Sequence, residues 1–145
     1  MLIMFLLINC GDSGNTKKYK ISMFGGQKFT DNGDGTITDA VGLQWEKQAS
    51  GGQSGWYSAD SHCTQLTLAG HSDWRLPAIS ELESIVDTKY SPTIDPVFFQ
   101  YTLAEAYWSS TSESTDGAWG VDFKTGNTKI FIKISGPYVR CVREP

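Results

Sequence analysis

Cys10, Cys63 and Cys141 are the thiols of this chain, and they stand far apart: Cys10 closes an apolar run, Cys63 lies mid-chain and Cys141 sits in the final strand-like segment. No Cys-x-x-Cys pair occurs and no histidine lies near Cys10 or Cys141 in sequence, so zinc-ligand spacing is missing. The loop Ser110-Thr111-Ser112-Glu113-Ser114-Thr115-Asp116-Gly117 leads into Trp119. Glu113 and Asp116 offer carboxylates for calcium or sugar hydroxyls, and Trp119 offers a face that stacks on a sugar or peptide. The alternative is a solvated hairpin loop with Trp119 in the core. Lys124, Lys129 and Lys133 fall on one face of adjacent strands and would attract a sulfated glycan, weakly and salt-sensitively against a net charge of -4. In Trp74-Arg75-Leu76-Pro77 the guanidinium could hold a ligand; more simply, Trp74 and Leu76 pack in the core while Arg75 pairs with a carboxylate or carbonyls at the start of a helix. Tyr107 and Trp108 pose the same choice between core and sugar platform. Catalytic signatures are missing: the sequence has no His-Glu-x-x-His, no Gly-x-Ser-x-Gly and no glycine-rich phosphate loop, and its two histidines, His62 and His71, are expected on helix and loop surfaces.

The chain that must position these groups has 145 residues, 12 Lys plus Arg against 16 Asp plus Glu, and 39% hydrophobic residues. That is one domain's worth of chain, long enough to bury a core without metal staples. The mild acidity and the lack of a Lys/Arg run exclude a nucleic-acid binder, which needs a basic stripe to displace counterions. Residues 1–9 are nearly all apolar, too few to span a bilayer, and resemble the hydrophobic region of a secretion signal. Leu7-Ile8-Asn9-Cys10 resembles a bacterial lipobox, whose cysteine becomes the lipidated first residue, and the polar stretch from Cys10 to residue 27 reads as a tether. The alternative is a buried first strand with an inert Cys10.

From residue 28 the pattern is that of a folded domain, 28–145. Phe29 to Asp39 forms two β-prone arms about Asn32-Gly33-Asp34-Gly35, a hairpin turn. An EF-hand reading of the same run would put Thr30 first and Val41 last, neither of which supplies a carboxylate. Trp56, Ala59, Cys63 and Leu66 predict a helix over Trp56 to Ala69 with Gly70 as its cap. A second short helix is predicted over Pro77 to Asp87, with Ile79, Leu82 and Val86 on one face. Tyr107 to Thr111, Ala118 to Phe123, Thr128 to Ile134 and Tyr138 to Arg143 predict strands; Trp119, Val121 and Phe123 alternate on one face, as do Ile130, Ile132 and Ile134, the pattern of half-buried antiparallel strands. Hairpin, then two helices, then an antiparallel sheet is an α+β order.

Phe29-Thr30-Asp31-Asn32-Gly33-Asp34-Gly35-Thr36, Gly42-Leu43-Gln44-Trp45, His62-Cys63, Leu68-Ala69-Gly70, Ser72-Asp73-Trp74-Arg75-Leu76-Pro77, Tyr107-Trp108-Ser109-Ser110-Thr111 and Tyr138-Val139-Arg140-Cys141-Val142-Arg143 together resemble the Lcl C-terminal domain family, over about residues 28 to 143. The resemblance implies a fold similar to C-type lectin-like and formylglycine-generating-enzyme-like domains, in exported bacterial proteins, with a collagen-like adhesin member that binds sulfated glycosaminoglycans. It also implies a bridge: such folds join a cysteine of the first helix to one in the last strand, and Cys63 and Cys141 match those places. Two buried free thiols are the alternative. The enzyme reading that the resemblance brings, oxygen-dependent oxidation of a cysteine in a target peptide, needs a close pair of reactive cysteines, and a Cys63–Cys141 bridge would leave none.

The function expected is therefore non-catalytic recognition of a glycan or protein at the bacterial cell envelope, by an exported lipoprotein held to the membrane through its lipid alone. A structural or interaction protein of the envelope without a small ligand is the alternative, and a cysteine oxidase the third. No cofactor is expected beyond calcium at the 110–117 loop. Cells expressing the chain should incorporate labelled palmitate into it, and Cys10→Ser should abolish the label; label retained in the variant would exclude lipidation at Cys10.

Overall fold

The structure, a computed structural model, describes residues 28–145; the apolar segment 1–9, Cys10 and the tether to residue 27 lie outside the described residues. The first hairpin forms because its turn residues satisfy one another. Gly33 and Gly35 take φ of +75° and +93°, Asp31 Oδ1 accepts the Gly33 N–H, and Asp34 Oδ1 accepts both the amide and the hydroxyl of Thr36. The second oxygen of Asp31 receives Lys47 Nζ at 2.6 Å. Although burial opposes it, the hydrogen bonds from Lys47 and Gly33 hold the Asp31 carboxyl below its usual range. Strands β1 (Phe29–Asp31), β2 (Thr36–Asp39) and β3 (Gln44–Glu46) pair antiparallel in that order, and β3 pairs on its far side with β7 (Val142–Arg143).

Helix α1 (Trp56–Gln65) turns Ala59 and Cys63 into the core, as its spacing predicts, but ends four residues before Ala69. Leu66 is extended, and Leu68 and His71 exchange both backbone hydrogen bonds around Ala69 and Gly70, at φ +54° and +80°. Gly70 thus serves a tight two-residue turn rather than a helix cap, since two successive left-handed residues are what such a turn requires. Helix α2 (Ile79–Ser84) is shorter than its periodicity suggests. Its start is fixed by Glu81, which accepts the Ala78 N–H at 2.7 Å and a two-pronged bond from Arg75, at 2.8 Å to each oxygen. The Arg75 bond holds the Glu81 carboxyl below its ordinary value against the opposing effect of burial.

Strands β4 (Ala106–Ser112), β5 (Gly117–Asp122) and β6 (Asn127–Ile132) form an antiparallel meander. A Cβ on Gly120 would lie 2.5 Å from the Tyr107 carbonyl oxygen, so the β4–β5 pairing at that point admits only glycine. One face of this sheet packs Tyr107 and Val121 with Leu82 of α2 and Ile85 just after it; the other packs Trp108, Ala118 and Phe131 with Ala59 and Cys63 of α1. The expectation that Ile130, Ile132 and Ile134 are half-buried fails, for they are 48%, 64% and 92% exposed. They belong to the edge strand and its continuation, beyond the part of the face that α2 covers.

The segment 138–143 joins everything. Tyr138 exchanges backbone hydrogen bonds with β4, Val139 bonds back to Gly51, Val142 pairs with both Trp45 and Arg75, and Cys141 is bonded to Cys63 of α1, with 5.5 Å between their Cα atoms. Two antiparallel sheets and two helices, arranged in the expected order of hairpin, helices and sheet, are thus tied by one stretch of chain. No helix among the described residues is long and apolar enough to cross a membrane. With the bridged cysteines 78 positions apart in the chain, the chain-entropy model gives the bridge about 4.5 kcal/mol. The double variant Cys63→Ser, Cys141→Ser should lose about 4 kcal/mol in urea unfolding, and a loss below about 1 kcal/mol would mean that packing alone holds α1 to the closing strand.

Candidate functional site

A cleft of about 620 Å³ opens between the first hairpin turn, the segment following β3, the turn after α1 and the loop before β4; Gly35, Glu46, Gln48, Ser50, Leu68 and Gln100 line it. Glu46 is 1% exposed, a carboxylate at the inner end of a polar chain. Its Oε2 accepts the Cys141 N–H at 2.6 Å, and its Oε1 accepts the Ser50 hydroxyl. Ser50 Oγ in turn lies 2.9 Å from His62 Nε2, on α1 beside the bridged Cys63. The hydroxyl therefore stands between carboxylate and imidazole. In acyl transfer the imidazole must stand between the other two, taking the hydroxyl proton while the carboxylate orients it. With its proton given to Glu46, Ser50 can only accept from His62, so this order of groups does not activate a nucleophile.

Behind the cleft lies Arg140, fully buried, stacked 5.1 Å over the Phe99 ring. Its Nη1 donates to the carbonyls of Glu46 and Lys47, the latter at 3.1 Å, and its Nη2 donates to Thr102 Oγ1 at 2.7 Å. One guanidinium thus clamps the Glu46–Ser50 wall to the Phe99–Thr102 wall that carries Gln100. Burial pushes the Arg140 guanidinium below its ordinary pKa, with Tyr107 and Glu46 opposing the shift. Opposite Gln100, Gln48 faces the cleft from the first wall; both are exposed, and neither carboxamide bonds to any described residue.

The residues singled out from the sequence lie elsewhere. Glu113 and Asp116 stand at the β4–β5 turn, where the Glu113 carboxylate lies over Gly117 and Asp116 uses its carbonyl to bind the Lys133 N–H, while the half-buried Trp119 lies within β5. Among the described residues neither acid joins a group of three potential metal ligands. The three lysines do not make an open cationic face. Lys133 is 8% exposed, its Nζ bonded to Ser112 Oγ and the Ser114 carbonyl and lying 4.5 Å over the Trp56 ring; Lys129 is paired with Asp122 at 2.7 Å; Lys124 stands exposed in the β5–β6 turn. The reason is the strand period: Lys129 and Lys133 point to the α1 side of β6, where aromatic rings wait for the second of them. Trp74 and Leu76 are buried, Arg75 pairs with Glu81 and Glu144, Pro77 offers its carbonyl to Ser110, and Trp108 is buried with its indole N–H on the Ser54 carbonyl.

Glu46, Ser50, Gln100 and Arg140 were not legible as site residues, because they come from segments up to 94 residues apart and no short motif links them. The one available signal was a buried arginine within Val139-Arg140-Cys141-Val142, an apolar strand in which a charge must have partners. Residues 35–143 match the family model described as the Lcl C-terminal domain. No curated protein matches the chain. Arg140→Met, which removes three donors from the clamp while keeping most of its bulk, should cost about 3 kcal/mol in urea unfolding; a cost under about 0.5 kcal/mol would show that the two cleft walls hold without it.

Proposed function

The chain belongs to the Lcl C-terminal domain family, and we propose that it is the recognition domain of an exported bacterial lipoprotein, binding a neutral glycan in the cleft at the cell envelope without turning it over. The observation that carries this reading is the pair of carboxamides, Gln48 and Gln100, that bond to no described residue and are presented from two walls that a buried guanidinium locks together. A carboxamide both donates and accepts, which suits vicinal sugar hydroxyls, and a pre-formed wall loses little entropy on binding.

The charges of the cleft are already committed. Lys47 is paired with Asp31 at 2.6 Å and Glu46 bonds to Cys141 and Ser50, which favours an uncharged sugar over a sulfated one. The C-type lectin-like fold that the family resemblance implies would support a binding role as well, since two sheets and a disulfide from the first helix to the closing segment leave long loops on a rigid frame. Against cysteine oxidation stands the same disulfide, which consumes both described thiols. The exposed edge at Ile130 and Ile132 favours a second reading, in which the partner is an envelope protein. Screened on a glycan array, the protein should retain neutral oligosaccharides. Gln48→Ala and Gln100→Ala should each weaken the best of them by about tenfold, at unchanged stability; binding untouched by both variants would overturn the cleft as the site.

A further inference from the structure

Glu46, His62 and Cys141 bring a carboxylate oxygen, a ring nitrogen and a sulfur within 4.8 Å of one another, and Cys63 adds a second sulfur bonded to the first. We propose that, once its disulfide is opened, the protein holds one zinc ion on Cys63, Cys141, His62 and Glu46, so that metal replaces the sulfur–sulfur bond as the link between α1 and the closing strand. While the bridge is intact its sulfurs carry no charge and are poor ligands; as thiolates they complete a two-sulfur, one-nitrogen, one-oxygen set of the kind tetrahedral zinc accepts. The ligand atoms of such a centre lie about 3.3 to 3.8 Å apart, so Glu46, His62 and Cys141 must draw in by up to about 1.5 Å and Cys63 must turn toward them once it is released from the bridge.

Two features hold the set in place without the bridge. His62 and Cys63 are neighbours on α1, and Glu46 is tied to Cys141 by the 2.6 Å bond from its backbone N–H. Ser50, already bonded to both Glu46 and His62, remains as an outer partner that orients the carboxylate. The redox step balances with a dithiol of the thioredoxin class as reductant: it gives two electrons and two protons to the bridge and becomes a disulfide, and Cys63 and Cys141 become thiols. Zinc then displaces their two protons to solvent, leaving two thiolates, a carboxylate and a neutral imidazole on the ion. The site shares Glu46 with the cleft and does not rest on the glycan reading.

The test uses the full chain carrying Cys10→Ser, so that its remaining cysteines are those of the site, reduced with a phosphine and titrated with cobalt(II) as the spectroscopic probe and with zinc. The reduced protein should bind one equivalent of cobalt with sulfur-to-metal charge-transfer and tetrahedral bands that zinc abolishes, and zinc should raise its melting temperature by about 4 °C or more; the oxidised protein should do neither. His62→Ala, at a half-buried position where folding is not at stake, should weaken binding by at least about tenfold, and Glu46→Gln should do likewise. Metal bound equally by reduced and oxidised protein, or by the reduced parent and reduced His62→Ala, would overturn the site.

Discussion

A positive charge with no exposed surface must be answered by the protein around it, and the way Arg140 is answered organises this domain. Its two Nη atoms donate to the carbonyls of Glu46, at the end of β3, and Lys47, just after it, and to a hydroxyl of the loop before β4; its Nε finds no partner among the described residues, and its plane rests on Phe99. None of these partners is a carboxylate in direct contact. The guanidinium is instead held by dipoles and a ring face, with the Glu46 charge acting at longer range. The geometry of the fork then becomes the geometry of the cleft, because each arm ends on a different wall.

The next residue along, Cys141, extends the same logic into the other half of the molecule. Its sulfur reaches α1 and its amide reaches Glu46, so within two residues the closing strand contacts the first sheet, the first helix and the loop that roofs the cleft. Side chains alternating along a strand make this possible: Val139 and Cys141 belong to the core cluster under α1, while Val142 belongs to the one under α2. The two hydrophobic clusters are thus separate in packing but share a single backbone. That is why the small strand β7, only two residues long, can hold the edge of a four-stranded sheet.

What the sequence revealed and what it hid follow from the range of the interactions involved. The Asn32-Gly33-Asp34-Gly35 turn, the inward face of α1 and the three-stranded meander depend on neighbours in the chain, and their residues announce them. Trp74-Arg75-Leu76-Pro77 stands between: its apolar members read as core, but that Arg75 pairs with Glu81 six residues on and with Glu144 across the fold is a matter of tertiary placement. The alternation of Ile130, Ile132 and Ile134 shows which residues share a face but says nothing about what covers it, and there coverage runs out at the sheet edge. The cleft was invisible for a stronger reason. Its polar groups occur singly, on segments that the fold alone brings together, and none has a type or spacing that marks it out.

The seam at residues 138–143 also sets a timetable. Every other element of the domain is made before it, yet the four-stranded sheet is not complete, and α1 has no covalent partner, until this stretch is available. A growing chain can form the first hairpin and the β4–β6 meander early, since their contacts are local, but those pieces have nothing to close on. The domain therefore closes late, once its final strand is available, and until then its first sheet and first helix stay untied.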